Sequence, residues 1–187
     1  LRPAESVDGE TLDWINTTKK NKQQIAEHSK AHVLIADQEV EYTNQMQSQN
    51  KILIQVSNPK YTMLKIGNHF FTEKIEPGIH KSAFIHPHAK LGHNVFIANN
   101  ASIGACTIGN DVKIFPNVVI NDNVLIGNNV TIKAGAVLGF DGFGYERDEA
   151  NNLMKFPQLG NLIIHDNVEI GANTCIDKGS LSDTIIG

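Results

Sequence analysis

The sequence predicts a mainly β protein: a parallel β-helix over residues 77–187, preceded by a small α/β domain over residues 1–76. Three observations carry this. One apolar position recurs every six residues from Ile79 onward, a turn former follows it at a fixed offset, and neither pattern exists before Pro77.

The first segment, Thr17 to Lys30, is polar and rich in helix formers, with Thr17 or Thr18 available as its cap. His32-Val-Leu-Ile-Ala36 and Ile52-Leu-Ile-Gln-Val56 read as short buried strands. Ser57-Asn58-Pro59 opens a second helix, with Asn58 as N-cap and Pro59 in the first turn. Strands alternating with helices are what an α/β unit requires. Ile75-Glu-Pro-Gly78 is the turn into the repeat.

The repeat positions are Ile79, Ile85, Leu91, Ile97, Ile103, Ile108, Ile114, Ile120, Ile126, Ile132 and Leu138, then Ile164, Ile170, Ile176 and Ile186. One slip of a single residue falls between Ile103 and Ile108. Four residues after each stands a small or β-branched side chain, from Ala83 to Thr174. Three residues after most of them stands Asn, Asp or Gly: Asn94, Asn100, Asp111, Asn117, Asn123, Asn129, Gly135, Asn167 and Asn173. These residues tolerate left-handed backbone angles. Each hexad is therefore a short strand and a tight turn, and three make one triangular coil. A single coil cannot bury its own Ile, so stacking supplies the stability. The outward positions hold short side chains such as Ser102, Thr107 and Thr131. Two interruptions, Leu138 to Ile164 and Ile176 to Ile186, must leave the wall as loops, the first over 140–161.

Composition bounds the function. Charged residues are 19% of the chain, the formal net charge is −4, and no basic cluster rises above Lys19, Lys20 and Lys22. A nucleic-acid partner is not expected. No run of 18 apolar residues exists, and Leu1-Arg-Pro-Ala4 lacks the apolar core of a signal peptide. The expectation is a cytoplasmic protein without an integral membrane segment, with peripheral contact at the inner membrane left open. Cys106 and Cys175 form no Cys-x-x-Cys motif and read as free thiols. His80, His86, His88 and His93 lie within fourteen residues, whereas stacked positions are about eighteen apart, so they read as surface residues and no metal site is expected. His165 follows an inward Ile beside the long loop and is the weak candidate for a general base.

The segment Leu138-Gly-Phe-Asp-Gly-Phe-Gly-Tyr145, then Phe156-Pro-Gln-Leu-Gly160, Val168-Glu-Ile-Gly-Ala-Asn-Thr-Cys-Ile-Asp-Lys-Gly179 and Asp183-Thr-Ile-Ile-Gly187, resembles the UDP-3-O-acylglucosamine N-acyltransferase family of hexapeptide-repeat acyltransferases. Both interruptions fall where that family has them. The resemblance implies a left-handed coil and a uridine-binding role for residues 1–76. It also implies a lipid A type reaction, in which an acyl group passes from acyl-carrier protein or coenzyme A to the amine of a UDP-amino-sugar. No bound cofactor is expected; the carrier thioester is the donor. Val56-Ser-Asn-Pro-Lys-Tyr61 resembles one Asn-Pro step of the family and Leu12-Asp-Trp-Ile-Asn16 another, with Trp14 in the place of an aromatic that stacks on uracil. Where the family runs on with Asn-Pro-Lys-Tyr, this chain reads Asn16-Thr-Thr-Lys-Lys20.

Candidate substrate-binding residues are thus Trp14, Asn16, Asn58, Asp141, Gly142, Phe143, Gly144 and Tyr145. Plainer readings stand beside them: Trp14 as core or subunit contact, Asn58 as helix cap, and Gly142 and Gly144 as hinges that let the chain leave the coil. The family's general-base His follows the Asp-Thr-Ile-Ile-Gly motif. The expectation is that it lies beyond Gly187 and that residues 1–187 alone are inactive. The resemblance also implies a homotrimer. Alternatives are an acetyl-coenzyme A-dependent acetyltransferase of surface-polysaccharide nucleotide sugars, and an inactive β-helix with a structural role.

Overall fold

The computed structural model describes residues 7–187; the Leu1–Ala4 stretch read for a leader lies outside them. The chain divides into two compact units, Leu1–Lys74 and Ile75–Gly187.

The first unit is built on three parallel strands, β1 (Leu12–Trp14), β2 (Val33–Ala36) and β3 (Ile52–Gln55), in the order β1-β2-β3. Helices α1 (Lys22–His28), α2 (Asn44–Ser48) and α3 (Pro59–Phe70) connect and follow them. Helix α1 is shorter than the composition suggested. The Asn16 side chain accepts from the Thr18 amide and hydroxyl and turns the chain first, so the helix starts only after Asn21. Its C-terminal carbonyls, at Ala26 and Glu27, are closed by the buried Lys51 ammonium at 2.8 Å each. Burial holds the Lys51 pKa below its ordinary value. Strand β3 is not buried as expected: it is an edge strand, and Ile52 and Ile54 are exposed. The core is Ile15, Ala26, Leu34, Ala36, Val40 and Met46.

The second unit is a three-faced parallel β-helix. Its first face stacks Gly78–Ile79, Phe96–Ile97, Lys113–Ile114, Thr131–Ile132 and Glu169–Ile170. The second stacks Phe84–Ile85, Ser102–Ile103, Val119–Ile120, Val137–Asp141 and Cys175–Lys178. The third stacks Lys90–Leu91, Thr107–Ile108, Leu125–Ile126, Leu162–Ile164 and Thr184–Ile186. The repeating Ile pair in register, as Ile114 with Ile97 and Ile132, and those of the middle coils are fully buried. At the first coil the ladder is open, and Ile79 is 53% exposed.

All nine turn formers named from the sequence have positive φ, from 53° at Asn129 to 74° at Gly135. At the one-residue slip the left-handed residue is what is missing. Cys106 takes the inward position, and its amide bonds the Gly104 carbonyl. Burial pushes its thiol up to about 11. The faces are not uniformly short-chained: Phe96 and Phe115 stand edge to face on the first, their centroids 6.0 Å apart, with the Lys133 ammonium 5.2 Å from the Phe115 ring. The second face does carry short groups, at Ser102, Val119, Val137 and Cys175.

Candidate functional site

In the first unit the named residues gather at one end of the sheet. Trp14 closes β1 half-buried, Asn16 follows it by two residues, Asp37 follows β2, and Asn58 follows β3 by three. The strands are parallel, so all these positions lie outside their carboxyl ends, where open α/β sheets receive ligands. Asn58 is first a cap: its side-chain oxygen accepts from the Tyr61 amide at 3.0 Å. Asn16 likewise spends its oxygen on Thr18. Both keep a side-chain NH2 for other partners. Sequence reasoning missed Lys22, which donates to the buried Asp37 at 2.6 Å at this same end. Its pKa is raised, chiefly by that hydrogen bond.

In the second unit the wall strand runs on to Asp141, and the chain leaves the prism at Gly142. It forms an antiparallel hairpin, Tyr145–Arg147 with Leu153–Lys155, and re-enters at Leu162. Asp148 holds the hairpin turn by accepting from the Ala150 and Asn152 amides. The Asp141 carboxylate accepts from Lys155 at 2.6 Å and faces Lys178 at 3.0 Å. The hydrogen bond from Lys155, then that from Lys178, holds its pKa below the carboxylate value. Asp141 is therefore a clasp between wall and hairpin rather than a free ligand group.

Gly144, Tyr145 and Phe143 do come together. With Glu146, Phe156, Gln158 and Ser180 they line a cavity of about 350 Å³. Phe143 is 96% exposed and lies 5.1 Å from the Tyr145 ring. Gly142 sits beside Gln158, and an added Cβ would crowd that amide at 3.2 Å. Gln158 and Ser180 were not singled out from the sequence. They belong to the two interruptions, and only the fold brings those together. The Leu159 and Gly160 amides donate to the Ser180 and Gly179 carbonyls. A Cβ on either Gly160 or Gly179 would collide with the Ser182 carbonyl. Asp183 completes the clasp by accepting from the Asn161 amide at 2.7 Å.

His165 stands elsewhere, on the third face. It lines an open groove of about 680 Å³ with Thr107, Leu125, Gly127, Ile163 and Asp166. The neighbouring Asp166 does not orient it as a catalytic carboxylate would. That carboxylate accepts from the Asn128 amide at 2.6 Å and from the Asn128 side chain, which lowers its pKa. The glycine at the matching position of the other coils, Gly92, Gly109, Gly127 and Gly187, leaves His165 as the one long side chain in that column. Among the described residues no group of three or more His, Cys, Asp and Glu could hold a metal ion. No helix there is long and apolar enough to cross a membrane.

Residues 105–139 match the family model "Bacterial transferase hexapeptide (six repeats)". Over its whole length the chain is 31% identical to a UDP-3-O-acylglucosamine N-acyltransferase of Polynucleobacter asymbioticus, and covers 60% of that protein. It is 34% identical to UDP-3-O-acylglucosamine N-acyltransferase 1 of Francisella tularensis subsp. holarctica and covers 59% of it. The chain thus spans about 60% of the length of the curated relatives it matches. A solved structure of a perosamine N-acetyltransferase mutant from Caulobacter crescentus, with CoA and GDP-perosamine, aligns over 97% of this chain and 93% of its own. Its TM-score is 0.36 and its identity 14%, and no conclusion rests on it. The repeat match accords with the left-handed parallel β-helix that the resemblance implied. Along its own length the chain is similar to these UDP-3-O-acylglucosamine N-acyltransferases and shares about a third of its residues with each.

Proposed function

We propose that the protein of this chain transfers an acyl group from a carrier thioester, on acyl-carrier protein or coenzyme A, to the amine of a UDP-amino-sugar. The match to N-acyltransferases over the entire chain is the observation that carries this reading. The two units divide the work. The strand ends of the first unit, with Trp14, Asn16 and Asn58, take the nucleotide. The cavity at Phe143, Gly144 and Tyr145 takes the sugar or the carrier arm. The chemistry is direct attack by the amine on the thioester, with histidine as general base and backbone amides on the developing oxyanion. His165 is a poor candidate for that base, because Asp166 is committed to Asn128. We place the protein in the cytoplasm as a homotrimer with sites between subunits.

Two measurements test the reading. The full-length protein that contains these residues, rather than residues 1–187 alone, is assayed with acyl-carrier-protein and coenzyme A donors against UDP-amino-sugars, and amide product is expected from a UDP-sugar acceptor. Product from none of them would overturn it. UDP binding is then followed by the fluorescence of Trp14, the only Trp in the chain. Saturating UDP should quench it, and Trp14→Ala should weaken binding by roughly 1–3 kcal/mol, the range of aromatic–base stacking. Tight calorimetric binding with unchanged fluorescence would remove Trp14 from the nucleotide site.

A further inference from the structure

Charge is not spread evenly along the β-helix. From Pro77 to Asn110 there is no Asp or Glu, although the chain as a whole carries 20 acidic residues against 16 basic ones. This acid-free stretch holds Lys81, Lys90, His80, His86, His88 and His93, and includes the whole first coil. The same coil exposes apolar groups: Phe84 is 58% exposed and Ile79 53%. Phe84, and His86 just past the strand Phe84–Ile85, flank the inward-directed Ile85 and so share the second face, while Lys90 leaves on the third face past the corner at Pro87 and His88. The His86 and His88 rings lie 5.2 Å apart, edge to face.

We propose that this coil is a docking edge for an anionic lipid surface. Aromatic and aliphatic side chains set among lysines suit the headgroup boundary of a bilayer, where apolar groups sink in and ammonium groups meet phosphate. A nucleic acid fits less well, because the belt has no Arg and encircles a convex prism rather than lining a groove. The second coil sets no acid beneath most of this belt. Register places Ser102, Gly104 and Thr107 under Phe84, His86 and Lys90, with the neutral Cys106 thiol and Ala105 between. Ala98 lies under His80, whose ring nitrogen is engaged by Ser82. Acids do approach the edge at two corners: Asp111 beneath Asn94, beside His93, accepts from the Asn94 side chain, and Asp122 accepts from the Ala105 amide. Lys81 has no acidic neighbour in the chain nearer than Glu76. This inference does not depend on the acyl-transfer reading.

The test is flotation of the whole chain with vesicles of phosphatidylcholine, with and without 30% phosphatidylglycerol, at low and high salt. Partition onto the anionic vesicles alone, lost at high salt, is expected. Each lysine removed from the edge should weaken it about fivefold. Lys81→Gln/Lys90→Gln should therefore fall far more than Lys19→Gln/Lys20→Gln, which has the same net charge. Phe84→Ser should also weaken binding. Equal loss in the two lysine pairs, equal partition onto neutral vesicles, or binding to poly-U without binding to vesicles would each overturn the proposal.

Discussion

At the scale of single residues, the corners of the prism show why a sequence pattern can be read as backbone geometry. An L-residue in the left-handed region costs roughly 1–2 kcal/mol, and Asn, Asp and Gly carry least of that cost. A corner that needs the conformation therefore selects those residues at a fixed offset. Asn123, at φ 62°, is a clean case, because its corner sits mid-stack between buried Ile120 and Ile126. Asn123→Ala should lower unfolding stability by about 1–2 kcal/mol, whereas Asn123→Gly should change it by a few tenths. Denaturant titration separates the two, and equal losses would show that the side chain, not the backbone angle, holds the corner. Other single residues could not be read this way. Nothing in the sequence announces that Lys51 closes the end of α1 or that Lys22 reaches Asp37, since both pairings cross the sheet from distant positions.

At the scale of elements, the legible parts are those whose signal is local. Helix α3 begins where Asn58 and Pro59 say it should, because capping is a bond between residues three apart. Helix α1 starts late and β3 lies bare, because an Asx turn and an edge position depend on what packs alongside. The candidate cavity divides in the same manner. Gly144 and Tyr145 were legible within one motif, but Gln158 and Ser180 join them only through the meeting of two loops. The hairpin gives a prediction at this scale. Asp141 has a depressed pKa in the folded chain, so its bonds to Lys155 and Lys178 contribute above the ordinary carboxylate value of about 3.9 and are lost as pH falls through the folded value. Hydrogen exchange at the hairpin amides, 145–155, should speed up as pH drops below about 4, after correction for intrinsic rates. In Asp141→Asn the faster exchange should already be present at pH 7, with little further pH dependence. A hairpin equally protected in both would show that backbone pairing holds it alone.

At the scale of the whole molecule, the six-residue period made the β-helix visible, because each coil repeats one solution to one packing problem. The exposure of its first coil was not visible, since Ile79 and Ile120 look alike in sequence but differ in what covers them. Ile120→Ala should cost about 2–5 kcal/mol, as a fully buried side chain leaves a cavity. Ile79→Ala should cost well under half of that. Thermal unfolding of the pair measures the difference, and equal losses would mean that the first coil is covered in solution.

The register has one more consequence. Strands on a face pair with strands one full coil away, eighteen residues from Ile79 to Ile97 and again from Ile114 to Ile132. Chain length in this unit is therefore quantised. Removing a whole coil leaves every face where it was, only shorter, while removing a single hexad rotates everything downstream by one face. The hairpin and its clasp would then hang over a different side of the prism from the one that carries Val119 and Val137. Such a molecule can gain or lose length by whole turns, as a screw does, and its loops hold their bearing only if the count is kept.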